Sequence, residues 1–350
     1  MIQEKKLLVI GGGIAGLSAA YYWAKTGRPV TVVEANTVGS GATWASGGML
    51  CPIAELEFTE PDLLEIGLNC LNEYKTWANE LRNIDYRQTG TVEVALHPED
   101  IQGLRRFFEF AQTHHVPIQW LTKSQLTEVE PLLSSRIAGG VFCPIEAQVD
   151  NRLLALALAE KIREFGGEII ESCRIESLKS VDHSVTADAV EQVFTADCCV
   201  VATGVNVSLL PDDCPPVYPI RGQMIALTHN AGFHLEKIIR IRSKRYGFGY
   251  VVPKESRIVV GSTSENQGYD LSLTAGGALD NLRRAYEALP GIYELTIQET
   301  WSGLRPASDT RLPFFHQENN ILYVNGLFRH GILLAPWVGQ KTVEKLLLMH

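Results

Sequence analysis

The chain has 350 residues, a formal net charge of −9, 45% hydrophobic and 20% charged side chains. This size allows a large core and about two domains, and the composition excludes a disordered chain. An acidic balance without a basic stripe speaks against a nucleic-acid partner, and no uninterrupted apolar stretch reaches the ~20 residues of a membrane span.

Lys6-Leu7-Leu8-Val9-Ile10 reads as a short apolar strand running into Gly11-Gly12-Gly13-Ile14-Ala15-Gly16. A helix from Leu17 to Lys25 stops near Gly27, a second strand follows over Val30 to Val33, and Glu34 ends it. Strand, glycines, helix, strand and acid in that order form a Gly-x-Gly-x-x-Gly dinucleotide site. In such a site the backbone approaches a pyrophosphate at a helix N-terminus. Glu34 lies eighteen residues beyond Gly16, near the spacing at which a carboxylate meets ribose hydroxyls, and it would repel the 2′-phosphate of NADP. A second small-residue loop, Gly39-Ser40-Gly41-Ala42-Thr43 and then Ala45-Ser46-Gly47-Gly48, points to a ligand longer than NAD. FAD is the expectation. Lys5-Lys6 before the apolar stretch from Leu7 to Ala24 mimics a signal peptide, but its removal would destroy this site, so a cytoplasmic protein is expected.

Further along, Leu63 to Leu81 has apolar residues Leu64, Leu68, Leu71 and Trp77 at helical spacing. Gly90 to Leu96 alternates like a strand, and Asp100 to His114 resembles a surface helix. Asp150 is a candidate N-cap for a helix over Asn151 to Phe165, stopped by Gly166-Gly167. Short strands follow at Glu168–Ile170 and around Val193–Phe194, and Cys198–Val201 ends in Ala202-Thr203-Gly204. The stretch from Gln223 to Thr263 is strand-rich, and Ala278 to Leu289 reads as a helix. Finally Ile321–Asn325 reads as a strand, Gly326–Gly331 as a loop and Gly339 to Met349 as a helix. Parallel-sheet signals thus occur at the start, middle and end. The fold class expected is α/β: a Rossmann-like FAD-binding domain (1–84, 147–219 and 301–350) interleaved with a smaller α+β substrate-binding domain (85–146 and 220–300). The latter is built on a mainly antiparallel sheet.

Seven cysteines without a Cys-x-x-Cys spacing argue against a disulfide framework or zinc, and no metal site is expected. None follows Cys214, so a C-terminal thioether to a flavin is excluded and FAD would be non-covalent. Cys198-Cys199 reads as core.

Several further segments join the glycine loop and Glu34-Ala35 in one pattern, the last two far more specific than that loop. They are Gly41-Ala42-Thr43, Gly47-Gly48-Met49-Leu50, Val201 to Gly204, Gly249-Tyr250-Val251-Val252-Pro253, Trp301-Ser302-Gly303-Leu304-Arg305-Pro306, and Gly326 to Pro336. On these the chain resembles the glycine oxidases of the D-amino-acid oxidase superfamily, in their thiazole-pathway branch, over nearly its whole length. The resemblance implies oxidative deamination of a small amino acid by hydride transfer to flavin, with O₂ as acceptor. The products would be imine or glyoxylate, ammonia and hydrogen peroxide, and iminoglycine would feed thiamine synthesis. It also implies a homo-oligomer, a tetramer in relatives. Carried over by motif, Arg305 holds the substrate carboxylate, helped by Tyr250, with Arg329 and Met49 nearby. FAD would be held by Gly11, Gly13, Ile14, Ala15, Gly16, Glu34, Ala35, Ala42, Thr43, Ser46, Gly47, Gly48 and Met49. Arg174 would lie near the adenine, followed by Ala202, Thr203 and Gly204. The segment Leu327, Phe328, Arg329, His330, Gly331, Ile332 and Leu333 would wrap the flavin ring. His330 and Cys51-Pro52-Ile53 depart from the family pattern.

The residue types suit that chemistry. A guanidinium fork makes two parallel charge-assisted bonds to a carboxylate, which a lysine cannot copy. Arg329 lies between apolar neighbours, where a charge needs a partner or a ligand. No convincing general base is found, which is no obstacle if the amine binds neutral. Sarcosine or small D-amino acids are alternative substrates, a carrier is an alternative acceptor, and a non-catalytic FAD-binding protein is the alternative of another class.

Overall fold

Residues 5–55, 61–181, 184–310 and 312–349 are described by the computed structural model of the chain. The fully buried strand Leu7–Ile10 lies inside a six-stranded sheet, with Val30–Val33 on one side and Cys198–Val201 on the other, both parallel to it. Glu168–Ile170 extends one flank, and Ile321–Asn325 with antiparallel Phe314–Glu318 extends the other. Unbroken apolar runs suit these strands because both faces are covered. Trp23, Tyr74, Trp77 and Leu158 fill one face, beneath the helices Ile14–Lys25, Pro61–Glu80, Asn151–Glu164 and Gly331–Leu348. On the other face a three-stranded ribbon, Ile175–Val181, Ser184–Ala189 and Val193–Ala196, packs with Val185 and Ala187. The alternation in this ribbon is only partly visible in the sequence.

The second sheet has eight strands in the order Ile297–Ser308, Val217–Leu227, Ile258–Gly261, Gly247–Pro253, Ile238–Ser243, Thr91–Ala95, Gly139–Cys143 and Gln119–Leu121. Its pairings are antiparallel except where Ile238–Ser243 meets Thr91–Ala95. Alternate residues face two cores. Val251 and Val260 pack toward the helix Ala275–Ala288, while Val252 and Val259 join Leu104 and Phe107 of the helix Ile101–Thr113. Pairing between the two longest strands runs from Val217↔Ser308 to Ala226↔Glu299 and, after a register shift, ends at Leu227↔Ile297. The segment boundaries read at 219/220 and at 301 therefore fall inside a single ribbon. Arg305 is a residue of this ribbon, opposite Ile220.

The C-terminal helix begins at Gly331 rather than at Gly339, running through Pro336. A proline inside a helix frees the carbonyl four residues back. That carbonyl, of Ile332, accepts from the Tyr74 hydroxyl instead, which satisfies it and lets the helix start early. This helix also crosses Ile14–Lys25 closely: Ser18 Oγ donates to the Ala335 carbonyl at 2.5 Å, and a Cβ at Gly339 would lie 2.4 Å from Ser18 Oγ.

Asp150 caps its helix as its position suggests, accepting from the backbone N–H of Arg152 (2.9 Å) and Leu153 (3.2 Å). Its other oxygen meets Arg257 Nη1 at 2.8 Å, a pair in which both side chains are buried. Burial alone would raise the carboxyl pKa, but Arg257 and Lys254 outweigh it and hold the group below its ordinary value. Asp150→Ala should therefore destabilise the fold by about 3–5 kcal/mol, the cost of leaving a buried charge without its partner. Urea unfolding should show a lower midpoint at unchanged slope. A depressed carboxyl pKa contributes stability at neutral pH that is lost as pH falls through the folded value, so the gap between the two proteins should narrow below about pH 4.

Candidate active site

A single elongated cavity runs along the junction of the two sheets, from Cys173 and Arg174 at one end to Tyr250 and Arg305 at the other. At its first turn the strand Leu7–Ile10 gives way to Gly11, whose φ of +108° disfavours a side chain and where a Cβ would lie 2.4 Å from the Ala202 carbonyl oxygen. Gly16 is equally committed, since a Cβ there would lie 2.0 Å from the Gly11 carbonyl. The helix that follows has no side-chain cap at Gly13; instead the Ile14 N–H donates to Thr43 Oγ1 at 2.9 Å. Its first N–H groups precede the bond from Leu17 to the Gly13 carbonyl, so the helix N-terminus offers donors and positive dipole to an anion. Glu34 is held at both oxygens, by Gly12 N–H at 2.6 Å and Asn36 N–H at 2.8 Å. A carboxylate so fixed keeps further lone pairs for ribose hydroxyls.

The cavity lining has space for a ligand where the motif requires it. A Cβ at Gly13 would meet only Thr43 Oγ1, at 3.6 Å, and none at Gly41 or Gly204 would meet any protein atom within 4 Å. The loops around it are fixed from behind. Asn151 Nδ2 donates to the carbonyls of Thr43 (2.8 Å) and Trp44 (2.9 Å), and Asn325 Nδ2 donates to that of Gly204 (2.8 Å). The helix N-terminus, the fixed acid and the glycine-lined channel fit the two-nucleotide length of FAD.

At the far end Arg305 lies flat against Gly222, where a Cβ would stand 2.4 Å from its Nη2. Its guanidinium donates to Ser262 Oγ (2.7 Å), to the Thr263 carbonyl (3.2 and 3.3 Å) and to the Arg221 carbonyl (3.4 Å). Among the described residues no carboxylate lies within 4.0 Å of it. Burial pushes its pKa below the ordinary value, yet a guanidinium remains charged. Tyr250 is buried beside it, its hydroxyl donating to Met224 Sδ at 3.1 Å, and burial raises its pKa so that it stays a donor.

The cavity brings together most of the residues singled out by motif: Gly11, Gly13, Ile14, Ala15, Glu34, Ala35, Ala42, Thr43, Ser46 to Met49, Arg174, Ala202 to Gly204, Tyr250, Arg305, Leu327 to Arg329, Gly331 and Ile332. It does not include Gly16, His330 or Leu333. Gly16 packs on the Gly11 backbone, and Leu333 belongs to the core beneath the helices. His330 is buried behind the loop and pushed down to about 3 by burial, with Arg329 and Arg240 adding to the effect, so it is neutral. Arg329 corrects an expectation: it is solvent-exposed at the mouth, beside the Phe328 ring, so its charge costs no burial. Met224, Ser262 and Glu55 line the cavity without having been signalled, because each lies in an ordinary strand or turn sequence with no local motif. No His/Cys/Asp/Glu group able to hold a metal ion occurs among the described residues.

A family model described as FAD dependent oxidoreductase matches residues 6–345. The chain is 30% identical to a glycine oxidase of Geobacillus kaustophilus over 97% of its own length and 92% of that protein. It is 31% identical to the candidate thiamine biosynthesis oxidoreductase ThiO of Rhizobium etli, covering 98% and 96% of the two chains. The crystal structure of glycine oxidase from Geobacillus kaustophilus superposes with a TM-score of 0.89 at 29% identity, covering 98% of this chain and 94% of that one.

Gly13→Val tests the nucleotide end. Its side chain would enter space that the protein itself leaves empty, so the variant should fold and purify colourless. The wild-type protein should be yellow, and acid precipitation should release all the colour into the supernatant, as a non-covalent flavin requires.

Proposed function

The chain belongs to the FAD-dependent oxidoreductase family, and from that premise we propose that it is a glycine oxidase. Glycine, O₂ and water give glyoxylate, ammonia and hydrogen peroxide through an imine. Iminoglycine so formed serves thiazole assembly in thiamine synthesis, in keeping with the thiamine-pathway relative. FAD, when bound, supplies the two-electron acceptor for the substrate Cα–H bond.

The rest is done by side chains of this chain. The helix N-terminus at Gly13–Ala15 holds the pyrophosphate and Glu34 the ribose. Arg305 binds the substrate carboxylate through its two terminal nitrogens and Tyr250 donates a further hydrogen bond. Fixing the carboxylate fixes Cα, and positioning of this kind supplies several of the roughly 7–11 kcal/mol available to full orientation. Arg329 sets positive charge at the mouth. The observation that carries the reading is Arg305: a half-buried guanidinium held by neutral acceptors, with no acid in reach among the described residues, at one end of a cavity shaped for FAD. A purely structural flavoprotein has no use for that charge. The segments 1–84, 147–219 and 301–350 serve mainly FAD and the remainder the substrate, except that the strand Ile297–Ser308 brings Arg305 to the substrate from the second sheet; the protein acts as a homo-oligomer of the cytoplasm.

Arg305→Leu should keep its yellow colour and lose about 10²–10³ in kcat/KM for glycine, or about 3–4 kcal/mol. Near-normal turnover would place the carboxylate clamp elsewhere. The decisive experiment for the whole reading is anaerobic mixing with a panel of small amines, in which glycine should bleach the flavin; peroxide release in air then identifies the oxidase.

Substrate size gives a second test. Met49, Met224, Tyr250 and Phe328 line the cavity near Arg305, whereas Leu50 and Leu333 lie in the core. These neighbours leave little room beyond Cα, and forcing in a side chain costs about 1–3 kcal/mol. Glycine and sarcosine should therefore exceed D-alanine modestly and D-phenylalanine by about tenfold to a hundredfold in kcat/KM. A preference for D-phenylalanine would overturn the glycine assignment.

A further inference from the structure

We propose that Glu55 is the docking group for the amine of the substrate, the anionic counterpart of the Arg305 clamp. The inference rests on the reading of the cavity as an amino-acid site. Only two acids line that cavity among the described residues, and Glu34 is committed to the nucleotide end. Glu55 stands at the other end, close enough to Tyr250 and Arg305 to act on both electrostatically. An amino acid presents a carboxylate and an amine two bonds apart on the same carbon. A site with a cation for one and an anion for the other complements both ends and fixes the Cα between them.

The turn that carries Glu55 is built to hold it there. Its N–H donates to the Cys51 carbonyl at 3.2 Å. The buried Glu146 carboxylate accepts from the N–H groups of Ile53 and Ala54, both at 3.0 Å. Arg240 donates to the Ala54 carbonyl at 3.0 Å and to Glu55 Oε1 at 3.2 Å. These are the supports that keep a binding group rigid. A carboxylate accepts at two oxygens and about four lone-pair positions, so one bond to Arg240 orients the group without exhausting it. Arg240 itself does not line the cavity, and Glu93 and Glu146 also act on its charge. Glu55 is thus both the ion-pair partner of Arg240 and, unlike Arg240, part of the cavity wall.

Sarcosine and methoxyacetate test the assignment, because they share length and carboxylate while only sarcosine has an N–H. With the FAD-loaded enzyme, half-saturation by glycine and sarcosine is read from anaerobic flavin reduction, and methoxyacetate binding from the flavin spectrum. In Glu55→Gln the half-saturating concentrations of both amines should rise about tenfold or more, with methoxyacetate affinity unchanged within about twofold. Glu55→Asp keeps the counter-charge for Arg240 but retracts the carboxylate, and should show the same selective loss to a smaller degree. It decides the matter if the glutamine variant fails to retain FAD. Parallel weakening of all three ligands would mean that Glu55 acts through the fold, and unchanged amine binding would mean that it serves Arg240 alone; either overturns the proposal. Wild-type enzyme that is neither reduced by glycine nor perturbed by methoxyacetate would instead overturn the functional reading beneath it.

Discussion

Everything in the site depends on how closely the strand Ile297–Ser308 is pressed against the loop around Ala45. A Cβ at Gly303 would lie 2.2 Å from that of Ala45, and the Trp301 indole N–H donates to the Ala45 carbonyl at 3.0 Å. Arg152 completes the junction: its guanidinium lies 3.7 Å from the centre of the Trp44 ring and 5.0 Å from that of Trp301, and it pairs with Glu299 at 3.0 Å. Desolvated cation–π contacts of this kind contribute about 2 kcal/mol, more than an exposed ion pair. One end of the strand is thus clamped to the phosphate-side loop, and Arg305, four residues on, inherits a fixed height above the cavity. Farther along, the Phe328 N–H donates to the Pro306 carbonyl at 3.0 Å, tying in the loop that approaches from the C-terminal side. Two sheets with separate cores are thereby made to present one continuous channel.

The charges behind that channel carry a stability cost that the pairing pattern offsets. Arg242 with Glu93 and Arg257 with Asp150 are largely withdrawn from water, whereas the buried Arg221 reaches out to a half-buried Glu265 and an exposed Asp270. Such pairs gain little over apolar packing, but losing one partner is expensive, so each locks its elements in a single arrangement. Arg305, on the cavity wall, differs from these in being solvated by a hydroxyl and backbone carbonyls alone. A cation left in that condition is poised for an anionic ligand, whereas a cation already paired would first have to give up its partner.

The sequence is most legible where function imposes local spacing. Gly16 is forced by the Gly11 backbone five residues away and Gly11 by its own positive φ, so the glycine motif, its helix and Glu34 can be read in order. The strands Cys198–Val201 and Ile321–Asn325 and the Asp150 cap follow from the same short-range rules. What escapes are the residues whose role comes from distant pairing. Ser262 and Arg305 are forty-three positions apart, and Glu55 depends on Glu146 and Arg240. Pro336 misleads because its usual meaning, a helix boundary, is cancelled by Tyr74, a side chain from another helix. Arg329 misleads in the opposite sense: apolar neighbours in sequence suggest burial, but one turn of chain is enough to point a single long side chain back into solvent.

That no histidine lines the cavity among the described residues bears on how the reaction proceeds. His330, the one histidine inside a site motif, is neutral and buried behind it, and the acids that do line the cavity are placed for binding. Among the described residues no imidazole is therefore poised to take a proton from Cα. The geometry instead favours loss of hydrogen with its electron pair, for which the substrate needs only to be held with its amine electron-rich and its Cα fixed. In the proposed reading Arg305 and Glu55 would hold the two polar ends, with Tyr250 and Met224 lining the cavity beside them. Water is displaced as they do so, and in that drier setting the Arg305 charge holds the carboxylate more firmly than it could in solvent. Orientation and desolvation then carry the protein's share of the catalysis, which explains why so much of the fold is spent on fixing one arginine.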